Sequence, residues 1–137
     1  MEQTFAIIKP DAVGRQLTGQ ILDRVEKAGF SIKAMRLVRL TKKEAEGFYA
    51  VHRGKGFFDG LTDFMSSGPA VVMVLEAPDA IRKWRDTMGA TDPTKAGAGT
   101  LRKEFGTDIG HNATHGSDAP ETAAYEIGYF FRGMELI

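Results

Sequence analysis

The chain has 137 residues, of which 42% are hydrophobic and 26% charged, a composition typical of one globular domain with a single core. Its 18 basic and 18 acidic residues cancel, so the basic excess typical of nucleic-acid-binding proteins is missing. The absence of cysteine excludes disulfides, thiolate zinc sites and cysteine nucleophiles, and is compatible with a reducing cytoplasm. The acidic start and the lack of an apolar run of roughly 20 residues argue against a signal peptide and a membrane span. We therefore expect a single cytoplasmic domain over residues 1–137.

The first half of the chain predicts two strands and three helices. The apolar run TFAIIK ends at Pro10-Asp11, which indicates a buried strand. Thr18 is suited to cap the next helix and Gly29 to end it, while Thr41 and Glu44 form a capping-box pattern further on. The predicted elements are strand Thr4–Lys9, helix Thr18–Ala28, strand Phe30–Leu40, helix Lys42–Val51 and helix Phe57–Met65.

The second half predicts two further strands, and between them a long loop rich in Gly, Ala, Thr, Asp and Pro. Loops longer than about 15 residues are uncommon in compact domains and are often functional. The predicted elements are strand Pro69–Leu75, helix Ala80–Met88, loop Gly89–Asn112 with a helical turn near Leu101–Phe105, strand Ala113–His115 and helix Pro120–Phe130. Four strands alternating with helices favour an α/β (α+β) fold of the ferredoxin-like type.

His115 lies in the polar segment NATHGSD, residues 112–118, and three interpretations are open for it. It is a structural histidine, a zinc ligand paired with His111, or a nucleophile. The zinc pair needs a helix that the Asn, Gly and Asp of this segment disfavour. A nucleophile needs an exposed ring nitrogen and a partner that fixes the tautomer. Gly116 would leave room for a substrate, Ser117 supplies a hydroxyl, and Glu126 lies where the last helix can reach back to the ring.

Lys9, Arg85 and Arg102 are the cations that we expect around that histidine. The sequence contains neither GxxxxGK(S/T) nor GxGxxG, so a phosphate must be held by side chains or helix ends. Solvated surface charge is the ordinary interpretation of any single Arg or Lys. Together with a histidine, however, these three would form an oligophosphate clamp.

The segment YAVHRGKGFF, residues 49–58, is compatible with a mobile lid that presents Phe57 to a base. Its KGFF weakly resembles a motif of RNA-recognition domains, which share the ferredoxin-like plan. That motif belongs on a strand, whereas this segment leads into helix-like sequence, and the chain has no net charge.

IIKPDAV near the start and NATHGSD near the end, with Arg85, Thr91 and Arg102 between them, resemble the nucleoside diphosphate kinase family over essentially the whole chain. The resemblance implies a ferredoxin-like four-stranded antiparallel sheet covered by helices. It also implies a ping-pong exchange of the γ-phosphate between nucleoside triphosphates and diphosphates, with broad base specificity. Mg²⁺ would arrive with the nucleotide. The expected partners are nucleotides and further copies of the chain (a tetramer or hexamer, with a dimer open), without specific nucleic acid or membrane.

The same resemblance implies the site. His115 would be phosphorylated on its δ nitrogen, Ser117 and Glu126 would orient it, and Asp118 would assist the nucleotide-borne Mg²⁺. Phe57 would stack on the base. The implied phosphate and sugar contacts are Lys9, Tyr49, Arg85, Thr91, Arg102 and Asn112.

Two alternatives from other classes stay open at this point. One is a non-enzymatic binding module and the other a histidine-centred metal hydrolase. One departure from the family pattern concerns the predicted lid: Lys55-Gly56 stands where a basic residue and Pro are common, so we expect a more mobile lid.

Overall fold

The computed structural model describes residues 1–137 and contains one four-stranded antiparallel sheet in the order β2-β3-β1-β4. The strands are β1 (Glu2–Ile8), β2 (Ser31–Val38), β3 (Ala70–Ala77) and β4 (Thr114–Gly116). The predicted ferredoxin-like fold with an antiparallel sheet is confirmed. The long strands β1 and β3 occupy the centre, while β4 at one edge has only three residues.

Seven α-helices cover the sheet: α1 (Pro10–Gly14), α2 (Thr18–Lys27), α3 (Lys42–Phe48), α4 (Phe58–Met65), α5 (Ala80–Met88), α6 (Leu101–Phe105) and α7 (Pro120–Phe130). Three short 3₁₀ helices occur at Ala50–His52, Pro93–Lys95 and Gly133–Glu135. None of the helices combines the length and the apolar character needed to cross a membrane.

The two faces of the sheet carry separate hydrophobic clusters, because successive side chains of a strand point to opposite faces. Trp84 and Leu101 pack on one face with the helices α1, α2, α5 and α6, against alternate residues of β1 and β3. Phe48 and Met65 pack on the other face with α3 and α4, against the remaining residues of the same strands. Because both clusters use β1 and β3, the sheet couples them into one unit.

Most of the predicted elements are present with small shifts at their ends. The helices predicted at Ala80–Met88 and Pro120–Phe130 have those bounds, and the helical turn at Leu101–Phe105 is α6. The capping box is confirmed: Thr41 Oγ1 accepts from Glu44 N at 3.1 Å, and Glu44 Oε1 accepts from Thr41 N at 2.9 Å. The helix predicted over Lys42–Val51 instead ends at Phe48 and continues as a 3₁₀ turn.

Near the N-terminus one prediction is incomplete and another is wrong. Pro10-Asp11 ends β1 as expected but also begins α1, because proline at the first helical position has no N–H that would need a partner. Thr18 is not a cap: it is the first helical residue of α2, and Leu17 occupies the N-cap position without a capping side chain. A left-handed Gln16 (φ 61°) separates the two helices.

Candidate active site

His115 is placed by the pairing of β4 with β1, in which it lies directly opposite Ile7. Opposed residues of antiparallel strands share a face, so the imidazole enters the cluster on the α3 side of the sheet. Its ring centroid lies 5.4 Å from that of Phe48, 6.1 Å from that of Tyr49 and 6.3 Å from that of Phe5. The side chain keeps 18% of its surface exposed. The ring is therefore held on its sides and remains accessible.

Glu126 from α7 fixes the tautomer of His115, as the sequence predicts. The distance from His115 Nε2 to Glu126 Oε1 is 2.8 Å, and Ser117 Oγ donates to the same oxygen at 3.0 Å. Ser117 in turn accepts from Phe5 N at 3.2 Å, which attaches the network to β1. A carboxylate only accepts hydrogen bonds, so Nε2 carries the proton and Nδ1, which makes no hydrogen bond, presents its lone pair.

Gly116 serves packing rather than substrate access, and this corrects the expectation drawn from the sequence. It lies opposite Ala6, on the face away from the imidazole. A Cβ there would lie 2.7 Å from Met88 Cε and 2.8 Å from Trp84 Nε1. The same indole nitrogen donates to His115 O at 3.1 Å. The glycine thus lets the tryptophan approach and support the backbone that carries the histidine.

Lys9 and Asn112 meet beside this strand. Lys9 follows β1, is 8% exposed, and donates from Nζ to Asn112 Oδ1 at 2.9 Å. The amide of Asn112 donates onward to Thr91 O at 3.0 Å. Burial, and next the positive charge of Arg102, lower the pKa of Lys9 to about 8, although the Asp11 carboxylate opposes this shift. Lys9 is therefore a buried cation whose charge is only partly compensated.

Arg102 from α6 reaches the residue before the histidine. Its two terminal nitrogens donate to Gly89 O at 3.0 Å and to Thr114 O at 2.9 Å. Its Nε is buried and makes no hydrogen bond. Burial, followed by repulsion from Arg85, lowers the pKa of Arg102 to about 10, with Asp118 acting in the opposite direction. The guanidinium is held firmly, yet by neutral acceptors only.

Arg85 and Asp118 form an exposed ion pair, with Arg85 Nη1 at 2.7 Å from Asp118 Oδ1. Arg85 lies in α5, one turn before the end of that helix. Since both side chains are more than half exposed, this pair contributes little to stability. Arg85 and Asp118, both predicted site residues, therefore lie together, and the ion pair engages one terminal nitrogen of the guanidinium.

Tyr49, His52 and Phe57 form a row of rings leading outward from the imidazole. The Tyr49 and His52 centroids are 6.2 Å apart, and those of His52 and Phe57 are 5.3 Å apart. The Tyr49 hydroxyl is buried without a partner, and burial followed by the charge of Glu126 raises its pKa, so it stays a donor. Phe57 is 54% exposed and precedes α4 rather than lying on a strand, which is contrary to the RNA-recognition alternative.

The predicted site residues converge, with two partial exceptions. Thr91 joins the network through its carbonyl, and the Phe57 ring lies beside a different cation, with Lys55 Nζ 5.8 Å from its centroid. The aromatic walls Phe5 and Phe48 and the intermediate His52 were missed, because a core aromatic and a wall of a site look alike in sequence.

The zinc alternative is not supported by the geometry: His111 Nδ1 lies 3.0 Å from Asp108 Oδ1, whereas His115 binds Glu126. The structure has no group of three or more His, Cys, Asp or Glu side chains placed to hold a metal ion.

Comparison with known proteins identifies relatives over the full chain. Residues 2–136 match the family model described as nucleoside diphosphate kinase. The nucleoside diphosphate kinases of Syntrophotalea carbinolica and Desulfotalea psychrophila are 64% and 60% identical over 137 residues, covering all of both chains in each case. The Aquifex aeolicus enzyme superimposes with a TM-score of 0.97 at 47% identity, covering 99% of each chain. A halophilic nucleoside diphosphate kinase from Halobacterium salinarum, solved in complex with CDP, gives 0.95 at 43% identity, covering 99% of this chain and 91% of its own.

Proposed function

Because this chain belongs to the nucleoside diphosphate kinase family, we propose that its ping-pong exchange of the γ-phosphate between nucleoside triphosphates and diphosphates passes through His115. The chain is thus a phosphotransferase, not a binding module or a hydrolase. The observation that carries the proposal for His115 is the bond from Nε2 to Glu126, which leaves Nδ1 as the nucleophilic atom. Nδ1 would form the P–N bond while the nucleoside diphosphate leaves, and the second nucleotide would reverse the step.

Lys9, Arg85 and Arg102 are proposed to bind the phosphates. Phosphoryl transfer depends mainly on positioning and on stabilising charge at the phosphoryl oxygens. Lys9 and Arg102 suit this task because they are fixed by neutral oxygens before any substrate arrives. Asn112, Thr91 and the unpartnered Tyr49 hydroxyl supply the remaining proposed contacts to phosphate and sugar. The CDP bound by the halophilic relative supports a diphosphate as ligand.

Phe57 is proposed to stack on the nucleobase. It is the exposed end of the ring row that begins at the histidine, and this supports a base lying outside phosphates held at the cations. Stacking does not distinguish bases, because every base has an aromatic face. Broad base specificity follows from this geometry.

Mg²⁺ is proposed to arrive with the nucleotide phosphates, which would supply most of its ligands. Asp118, which is exposed beside Arg85, fits as an additional ligand, since hard divalent cations prefer oxygen. The ion would neutralise phosphate charge. A carboxylate drawn to it would leave Arg85 available to the phosphates.

The oligomeric state, the single-domain organisation over residues 1–137 and a cytoplasmic location stay predictions. A homo-oligomer is supported by the outer edge of the sheet, where β2 exposes Met35 and Leu37 at 51% and 66%. Apolar side chains on an unpaired edge strand favour covering by another chain. Light scattering of the pure protein distinguishes dimer, tetramer and hexamer.

Phosphoenzyme labelling tests the proposed function. ATP labelled on its γ-phosphate should produce an acid-labile, alkali-stable adduct on wild-type protein, and ADP should discharge it. The variant His115→Ala should keep the fold but take no label, whereas the control His111→Ala, which alters an exposed histidine paired with Asp108 in the loop before β4, should label normally. Exchange activity in His115→Ala would overturn the assignment. Arg102→Ala should lower turnover with the fold retained, and an unchanged rate would remove Arg102 from the site.

A further inference from the structure

The backbone two residues before His115 makes a rare turn. Ala113 is fully buried and has a φ of 71°, in the left-handed region that residues other than glycine seldom adopt. Thr114 N donates to Asn112 O at 2.8 Å across it. A hydrogen bond that spans three residues around a central φ near +75° defines the classic γ-turn, which is strained. The backbone is therefore strained at the residue that determines the positions of both Asn112 and His115.

The segment after β1 holds both polar groups of this alanine. Lys9 N donates to Ala113 O at 2.8 Å, and Asp11 Oδ2 accepts from Ala113 N at 3.1 Å. The first of these is an ordinary backbone bond. The second needs one particular side chain from the first turn of α1, 102 positions away in sequence.

We propose that Asp11 is a positioning residue for the phosphoryl transfer, which holds the γ-turn at Ala113 through the hydrogen bond that it accepts from Ala113 N. The turn places the Asn112 amide on the Lys9 ammonium and starts the three-residue strand that carries His115. Without the carboxylate, the amide of Ala113 loses its acceptor and the left-handed conformation loses its restraint. Relaxation of the turn would displace Asn112 and His115 together.

The second role of Asp11 is electrostatic. The charged groups that face Lys9 are Asp11 from α1 and Arg102 from α6, and its other partner, Asn112, is neutral. Asp11 raises the pKa of Lys9, whereas burial and Arg102 lower it, with a net value of about 8. Because a lysine loses its charge as the pH rises through its pKa, the phosphate site of the nucleotide-free protein weakens above about pH 8. Removal of the Asp11 charge moves that loss to lower pH.

Two substitutions at Asp11 separate the two roles. Asp11→Ala removes both the acceptor and the charge, and we expect kcat/KM for exchange between ATP and a nucleoside diphosphate to fall by about 10- to 100-fold, since misplaced catalytic groups cost rate steeply. Asp11→Asn keeps an acceptor for Ala113 N but no charge. It should retain most of the activity at pH 7, with the alkaline limb of the kcat/KM profile moved to lower pH. Asp23→Asn, which alters an exposed carboxylate paired with Lys27, is the matched control and should leave the profile unchanged.

Rescue by glycine tests the turn directly. Glycine adopts a positive φ without the penalty that other residues incur, a penalty worth roughly a factor of ten in an equilibrium constant. Ala113→Gly in the Asp11→Ala background should therefore recover several-fold of the lost kcat/KM. The double variant also gives a result if Asp11→Ala alone folds poorly.

Three outcomes would overturn the proposal: Asp11→Ala within twofold of wild type, no recovery in the double variant, or an Asp11→Asn profile that superimposes on that of wild type. The proposal rests on the phosphate and histidine site proposed above, but the readout is the exchange rate. Loss of labelling at His115 with exchange retained would sink the proposed function and leave the Asp11 comparisons interpretable.

Discussion

Gly116→Ala is the substitution whose effect follows most directly from the structure. The new Cβ would meet Trp84 Cδ1 and would lie 2.7 Å from Met88 Cε and 2.8 Å from Trp84 Nε1. Both neighbours are core residues, with exposures of 0% for Trp84 and 2% for Met88, so neither can swing into solvent. Ordinary contact begins at 3.4 Å, so the strand and its neighbours must separate by about 0.7 Å or more.

The expected cost is at the upper end of that for overpacking, about 2–3 kcal/mol. For 137 residues the entropy of unfolding is about 0.29 kcal/mol/K, so the Tm should fall by about 7–10 °C. Because β4 carries His115 beside this position, the same displacement should lower kcat/KM by up to about 10²-fold.

Calorimetry at fixed protein concentration and steady-state exchange kinetics measure the two effects. Gly128→Ala is the matched control. It lies in α7 with nothing within 4 Å of its added Cβ, and should raise the Tm by about 2–3 °C through the better helix propensity of alanine. A Gly116→Ala protein with an unchanged Tm and activity within twofold would show that the core at Trp84 yields freely, and the packing argument would be wrong.

Three further substitutions test the site. Glu126→Gln should lower the single-turnover phosphorylation rate by roughly 10²-fold or more with little change in Tm, because an amide N–H can donate to Nε2 and leave the proton on Nδ1; a normal rate would show that the tautomer is set elsewhere. Tyr49→Phe should raise the Tm, since a buried hydroxyl without a partner costs about 1–3 kcal/mol, while kcat/KM falls about tenfold; a lower Tm would contradict this. Gly56→Pro should stabilise the folded protein by about 0.4–1 kcal/mol and lower the nucleotide KM. Gly56 occupies the second position of a turn closed by the hydrogen bond from Phe58 N to Lys55 O at 3.0 Å, and Phe57 has φ −85° and ψ −4°, as in a type I turn, in which proline is favoured at that second position. A higher KM would show that binding needs a mobile Phe57.

The elements and the main site residues were predictable because their signals are local. Hydrophobic spacing located the strands and helices, and NATHGSD located the histidine together with Ser117. Glu126 was predictable because the last helix must return over the sheet. Pro10 was correctly predicted to end the first strand, but the helix that it begins was not predicted, although proline is favourable at the first position of a helix.

The roles of Asp11 and Ala113 could not be predicted from the sequence. Alanine carries no mark of a left-handed conformation, and the acceptor that holds it comes from a residue 102 positions away. Gly116 was misassigned for a related reason. Its missing Cβ points at Trp84 on the far face, and only the strand register reveals which face that is.

The hydrogen bonds that hold Lys9 and Arg102 suit phosphate binding better than they suit the stability of the fold. Lys9 and Arg102 are oriented by an amide oxygen and two carbonyl oxygens, not by paired carboxylates. Burial lowers the pKa of both groups, and so does repulsion, from Arg102 in the case of Lys9 and from Arg85 in the case of Arg102. Paired carboxylates would offset these effects, but they would also repel a polyphosphate. Neutral acceptors fix geometry and leave the positive charge available. Asp11 fits this arrangement because its carboxylate bonds to a backbone amide and acts on Lys9 only from a distance, so it moderates the repulsion without occupying the ammonium.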